Sequence, residues 1–369
     1  MRSAFLLLSL PIAALFPVQE EETGPPVRAR DLGIAIGELP TGPLNAITDV
    51  AGVGVGHATV NEGDDVRTGV TVIVPQLGEN AFWKRLPAAV FTGNGYGKAV
   101  GFTQVEELGE IEAPIALTNT LSVGTVLQAM VARCLELPGN EELGSVNVVV
   151  GETNDGLLND IRGFHVRPEH VRRAWDSARG GRVEEGCVGA GTGTVCFGYK
   201  GGIGTSSRQV GGWTVGVLVQ TNFGGELRVD GRPFPPSEAD SGDSGDSGDG
   251  SCMVVVATDA PLDARNLRRL ARRALFGLAR AGSVMSNGSG DYVVAFSTHS
   301  AGKHDPREPL HSLSVLSNAR MTPLFRAVVE ATEESVLNSL VAARTTRGRA
   351  GREAPAIDHG ALRRALERK

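Results

Sequence analysis

Residues 251–296 read SCMVVVATDAPLDARNLRRLARRALFGLARAGSVMSNGSGDYVVAF. The stretch opens on one apolar run, Met253–Ala257, and closes on another, Tyr292–Phe296. Between them Leu267, Leu270, Ala271, Ala274, Leu275 and Leu278 recur at helical spacing, with arginines on the other face. That spacing predicts a helix over Leu267–Arg280. Asp263 is placed to cap its start and Gly282 to stop it. A strand–helix–strand crossover within one sheet makes the two strands parallel. Their N-terminal ends then share one edge of the sheet. Ser251 stands at the first of those ends, and the run Ser286–Asp291 stands at the second.

Working outward, Val70–Val74, Ala88–Thr92, Val146–Val150 and Trp213–Gln220 are mostly Val/Ile-rich runs bounded by turn residues. Each reads as a strand. A second long helix is predicted from Pro323 to about Arg344, with Thr322 as its cap and Pro323 at its first position. Mixed strands and helices give an α/β or α+β class.

The composition agrees with a packed globular chain. Hydrophobic residues are 41% and charged residues 21% of 369, which supports a sizeable core. The net charge of −6 argues against nucleic acid as a partner, which calls for a basic excess. Glycine is in excess, 49 of 369 residues, against a usual share of about 7%. Turns and close backbone approaches are therefore expected. Arg2 precedes a mostly apolar run, Ala4–Phe16. Its length suits a signal-peptide core better than a membrane span. Residues 1–24 are read as a leader and 25–369 as one domain, exported to the periplasm or beyond and free of the membrane once the leader is removed. The alternatives are a buried N-terminal element and a cytoplasmic chain.

Several motifs fail on inspection. Cys134, Cys187, Cys196 and Cys252 form no C-x-x-C pair, so a zinc ribbon or redox site is not expected. Cys187 and Cys196 could pair in an exported protein, or all four could be free thiols. The glycine runs at 189–193 and 93–97 miss the dinucleotide-binding pattern. His165 and His170 are five apart across Pro168, which does not match helical zinc ligands. No metal and no organic cofactor is expected. Gly245–Gly248 mimics a serine-protease tetrapeptide, but it belongs to a Ser-Gly-Asp repeat.

That repeat is the informative oddity. Residues 237–250 read SEADSGDSGDSGDG, with no apolar residue except Ala239. It is predicted to be an exposed, flexible linker. An apolar strand follows at once, with Gly250-Ser251 at the junction. A serine placed there can attack the preceding carbonyl, since Gly250 brings no side chain to the acyl side. Amide-to-ester shift and hydrolysis would free its α-amine. An α-amine titrates at about 7.7–8.0, so it can accept the hydroxyl proton near neutral pH. Ser289 and Asp291 would converge on Ser251 from the neighbouring strand and orient it. The bland alternatives are a serine that only begins a strand and a glycine-rich turn.

These residues lie within a wider resemblance. The chain resembles the self-processing aminopeptidases typified by the L-aminopeptidase/D-amidase/D-esterase and the β-peptidyl aminopeptidases. The matching stretches are 28–33, 45–52, 55–58, 66–71, 117–120, 122–124, 150–153, 189–193, 200–205, 215–220 and 257–262. The resemblance implies a four-layer αββα sandwich, like N-terminal-nucleophile hydrolases with different connectivity. It implies cleavage into an α chain ending at Gly250 and a β chain starting at Ser251. Ser251 would be the nucleophile, with Ser289 and Asp291 as its relay. Asn222 would donate to the oxyanion, a role suited to a neutral amide. Glu152 and Asn154, just past a predicted strand end, could bind the substrate's free amine. The implied substrates are small peptides, amides or esters. The implied assembly is a homo-oligomer of αβ units, a tetramer. The rival readings are an exported non-catalytic binding protein or pseudoenzyme on this fold, and an acyl transferase like the ornithine acetyltransferases.

Overall fold

The computed structural model describes residues 27–235, 237 and 250–367. The expected leader and residues 238–249 of the Ser-Gly-Asp linker lie outside the described residues. In chain order the main elements are β1 (Gly54–Glu62), β2 (Val66–Val74), β3 (Leu86–Gly95), α1 (Phe102–Leu108), β4 (Glu110–Ile111) and β5 (Ile115–Asn119). Then come α2 (Val123–Leu135), β6 (Val149–Thr153), α3 (Pro168–Asp176), β7 (Ile203–Val210), β8 (Trp213–Asn222) and β9 (Ser251–Thr258). The chain finishes with α4 (Ala264–Ala281), β10 (Gly290–Ser297), α5 (Met321–Val341) and α6 (His359–Glu367).

The strands form a four-stranded sheet, β1-β2-β5-β6, and a six-stranded sheet, β4-β3-β10-β9-β8-β7. Three apolar clusters define the layers. One packs β8, β9 and β10 against α4 and α5. A second joins the facing sides of the two sheets through Ile73, Ile115, Leu117, Met253, Val255 and Val294. The third packs β2, β5 and β6 against α2 and α3. The order is therefore helix, sheet, sheet, helix, the αββα sandwich implied by the resemblance.

The 251–296 stretch folds as its pattern dictates. β9 and β10 pair in parallel, Ser251 opposite Gly290 through Thr258 opposite Ser297. The Asp263 side chain accepts the Asn266 N–H at 2.9 Å and caps α4, a contact worth about 1 kcal/mol. Gly282 ends the helix at φ +112°.

Several boundaries move by a few residues from expectation, α5 ending at Val341 among them, and two of the shifts have a visible setting. α5 begins at Met321 rather than after Thr322, following a short 3-10 turn at 318–320. Pro323 still lies in the first turn, where a missing N–H leaves no bond unmade. The strand expected at 146–150 runs instead from Val149 to Thr153, because its partner β5 pairs Ile115 with Val149 and Asn119 with Thr153. Glu152 is thus inside a strand and not beyond its end. Among the described residues all four cysteines are free thiols. No helix there is long and apolar enough to cross a membrane.

Candidate active site

One sheet edge gathers the ends of several strands. β9 and β10 begin there, and β8, antiparallel to β9, ends there with Asn222 opposite Ser251. β3 ends beside β10, with Asn94 opposite Asp291 and Gly95 opposite Gly290. The C-terminal end of β6 brings Glu152 to the same edge from the other sheet.

The chain is continuous through Gly250 and Ser251. The Ser251 hydroxyl donates to the Gly250 carbonyl oxygen at 2.7 Å. The Gly290 N–H donates to that oxygen at 3.0 Å and approaches Ser251 Oγ at 3.4 Å. The carbonyl of this one bond is therefore polarised by a backbone donor while a hydroxyl lies against it. Gly250 is buried, and its lack of a side chain is a packing requirement as well as a chemical opening. A carbon added there would stand 2.3 Å from the Asn222 carbonyl oxygen and 2.5 Å from Phe223 Cα.

Strand alternation places the polar groups on two faces. Cys252, Val254 and Val293 pack toward the helices. Met253, Val255 and Tyr292 face the other sheet. Ser251 shares the second face, where a side-chain carbon added at Gly290 would lie 3.3 Å from Ser251 Oγ. Asp291 lies on the first face, and its charge helps push the buried Cys252 thiol well up. The structure thus brings Ser251 and Asp291 to one edge but points their side chains through opposite sides of the sheet.

Asp291 is fully buried, and neither carboxyl oxygen has a hydrogen-bond partner among the described residues. Burial pushes its pKa up to about 6. The Ser289 hydroxyl is near enough to pull the value back without forming a well-directed bond. The turn that carries both is held by Asn94, whose amide donates to the carbonyls of Ser286, Asn287 and Ser289.

Asn222 Oδ1 accepts the Val195 N–H at 3.0 Å. That bond fixes the amide and leaves Nδ2 as its outward donor, on the Ser251 side of the sheet. Glu152 is buried, and it accepts the Lys98 N–H at 2.9 Å and the Thr120 hydroxyl. Asn154, by contrast, is exposed and accepts the Gly156 N–H at 2.9 Å, as a turn cap. Pattern reading did not single out Gly290, Lys98 or Thr120. Two of these act through backbone N–H groups, which carry no residue signature. Among the described residues no group of three or more His, Cys, Asp or Glu side chains is arranged to hold a metal.

The family model of peptidase family S58 matches residues 45–354. The chain belongs to peptidase family S58. It is 42% identical over 373 residues to the beta-peptidyl aminopeptidase BapA of Sphingosinicella microcystinivorans, covering 92% of each chain. Among solved structures, a Burkholderia sp. beta-aminopeptidase superposes with a TM-score of 0.84 at 42% identity, over 92% of this chain and 98% of that one. The L-aminopeptidase D-Ala-esterase/amidase of Ochrobactrum anthropi superposes with a TM-score of 0.84 at 37% identity, over 92% and 98%. That protein is described as a prototype for the serine aminopeptidases and a variant of the Ntn hydrolase fold. This S58 member is accordingly an aminopeptidase on that fold variant. Family membership lends no support to the non-catalytic or acyl-transferase alternatives.

Proposed function

We propose that this S58 member cleaves itself between Gly250 and Ser251 and then works as a serine aminopeptidase through the freed N-terminal Ser251. The observation that carries this is the Gly250 carbonyl, met by the Ser251 hydroxyl at 2.7 Å and the Gly290 N–H at 3.0 Å. Oγ attacks that carbon, its proton passes to the Ser251 nitrogen as the C–N bond breaks, and the chain is joined for a time by an ester. Water hydrolyses the ester, leaving a Gly250 carboxylate and a Ser251 α-amine.

The amine then serves as the base. It takes the Oγ proton as Oγ attacks the substrate carbonyl. Asn222 Nδ2 and the Gly290 N–H donate to the developing oxyanion. The proton passes to the leaving amine, and water releases the acyl group by the reverse route. Asp291 and Ser289, on the far face from Oγ, act on the amine and not on the hydroxyl. Glu152 holds the substrate's free amine, while Asn154 contributes only to the adjoining turn.

The substrates are small peptides, amides or esters with a free amine, in keeping with the names of the relatives. The processed αβ units assemble as a homo-oligomer, a tetramer, after export and loss of the leader. Denaturing electrophoresis with mass spectrometry tests the cleavage. The expected result is two fragments, the smaller beginning at Ser251, and an intact, inactive Ser251→Ala chain. A wild-type enzyme active as one uncut chain would overturn the mechanism.

A further inference from the structure

The proposed amine pocket holds a residue that the reaction scheme above leaves without a task. Tyr292 is 5% exposed, and no described residue hydrogen-bonds its hydroxyl. Its ring is held edge-on against Phe102 at 5.7 Å and 86°. Phe102 opens α1, a few residues after Gly97 and Lys98, so the ring is set by the same segment that binds Glu152.

Two glycines locate the ring. A side-chain carbon added at Gly290 would stand 3.1 Å from Tyr292 Cε2 and 3.3 Å from Ser251 Oγ. One added at Gly97 would stand 2.9 Å from Glu152 Oε1, 3.1 Å from Tyr292 Cε2 and 3.3 Å from the Tyr292 hydroxyl. The ring therefore lies between nucleophile and carboxylate. Its hydroxyl points to the same small space as Glu152, and Gly97 keeps that space open.

We propose that Tyr292 and Gly97 complete the amine-recognition pocket, the Tyr292 phenol oxygen accepting one N–H of a substrate ammonium that Glu152 also binds. This rests on the aminopeptidase reading of the site. An ammonium has three donors, and a carboxylate whose oxygens already accept from Lys98 and Thr120 leaves some of them unmet. A phenol at the carboxylate's side accepts a second donor without adding charge. Burial, then the charges of Glu152 and Asp291, raise the Tyr292 pKa, so the phenol stays neutral through the working pH range. With Gly97 lacking a side chain, the pocket admits an ammonium and little more. A substrate without a free amine would leave Glu152 and the phenol facing each other with nothing between them.

The test is competitive inhibition, read as initial rates on a p-nitroanilide substrate. The inhibitors are 3-aminobutanamide and butanamide, which differ only in the amine. In the wild type the first should bind more tightly. Tyr292→Phe should lower the ratio of the butanamide constant to the 3-aminobutanamide constant by roughly 10- to 150-fold, the loss of one hydrogen bond to a charged group. The substrate defect should fall on KM more than on kcat. Gly97→Ala should weaken the amine-bearing inhibitor by at least about 10-fold in a chain that is still cut at Ser251. An unchanged ratio in Tyr292→Phe, or an equal weakening of both inhibitors, would overturn the assignment. Ser251→Ala, assayed alongside for cleavage, separates the two readings. If it stays active the nucleophile assignment falls, while the inhibition ratio still decides the pocket.

Discussion

Gly250→Ala probes the proposed scissile junction by adding one carbon beside the carbonyl that is attacked. The added carbon would meet the Asn222 carbonyl oxygen at 2.3 Å, Phe223 Cα at 2.5 Å and Phe223 Cβ at 3.0 Å. The first two are backbone atoms, so no side chain can swing away to make room. Either the Gly250 peptide leaves its place under the Gly290 N–H, or the end of β8 moves. Overpacking of this kind costs about 1–3 kcal/mol. If the whole cost falls on the geometry of attack, it corresponds to a cleavage rate lower by about 5- to 150-fold. Misplacement of reacting atoms by about 1 Å has effects of that order. The assay is a time course of freshly made chain, resolved on denaturing gels and confirmed by fragment mass. Slow cleavage should come with a melting temperature lowered only modestly, since the strain sits at a sheet edge. Cleavage of Gly250→Ala at the wild-type rate would refute the reasoning. It would mean that the carbonyl does not react from the place where Ser251 and Gly290 meet it.

Two further expectations follow from buried carboxyls. Asp291 has a pKa of about 6 and is proposed to act on the α-amine, whose ordinary value is about 7.7–8.0. Both must be deprotonated for turnover, so log kcat/KM should fall with a slope near two below pH 6, and Asp291→Asn should reduce that slope to one. A slope of one in the wild type would remove Asp291 from the reaction. Asp155 is buried with one oxygen unpartnered, and burial raises its pKa to about 7. A raised carboxyl favours the folded state at low pH and loses that contribution as pH climbs from its unfolded value, about 3.9, through the folded value. Asp155→Asn should therefore narrow the drop in melting temperature between pH 5 and pH 8. An unchanged drop would show that Asp155 does not carry it.

The 251–296 stretch was legible because each level of its pattern agreed. Apolar strands, a capped amphipathic helix and a right-handed crossover left little choice but a parallel pair. β7 was not legible. Its sequence, IGTSSRQV, carries buried polar residues whose partners are far away in the chain. Ser206 donates to the Ala331 carbonyl, and Arg208 reaches Glu334 at 2.7 Å and Glu330 at 3.3 Å. A local window sees polar residues and reads a surface. The same holds for Glu152, read as a residue beyond a strand end. Only the pairing of Asn119 with Thr153 places it inside β6. Serine and carboxylate at one edge were foreseeable from the crossover. Their opposite faces were foreseeable too, from the count of residues along paired strands, but only once Ser251 was known to pair with Gly290.

That register has a chemical consequence. Cys252, not Ser251, pairs with Asp291, so the carboxylate cannot reach Oγ along the sheet surface. In the proposed mechanism its target is the backbone nitrogen of Ser251, which lies in the plane of the sheet between the two faces. While residue 250 is attached, that nitrogen is an amide and has no basicity to offer. Once the bond is cut, it becomes an amine with a carboxylate on one side and its own hydroxyl on the other. The negative charge favours its protonated form, and burial of both groups works against charge. On the proposed mechanism, cleavage between Gly250 and Ser251 would create the one base that the reaction uses.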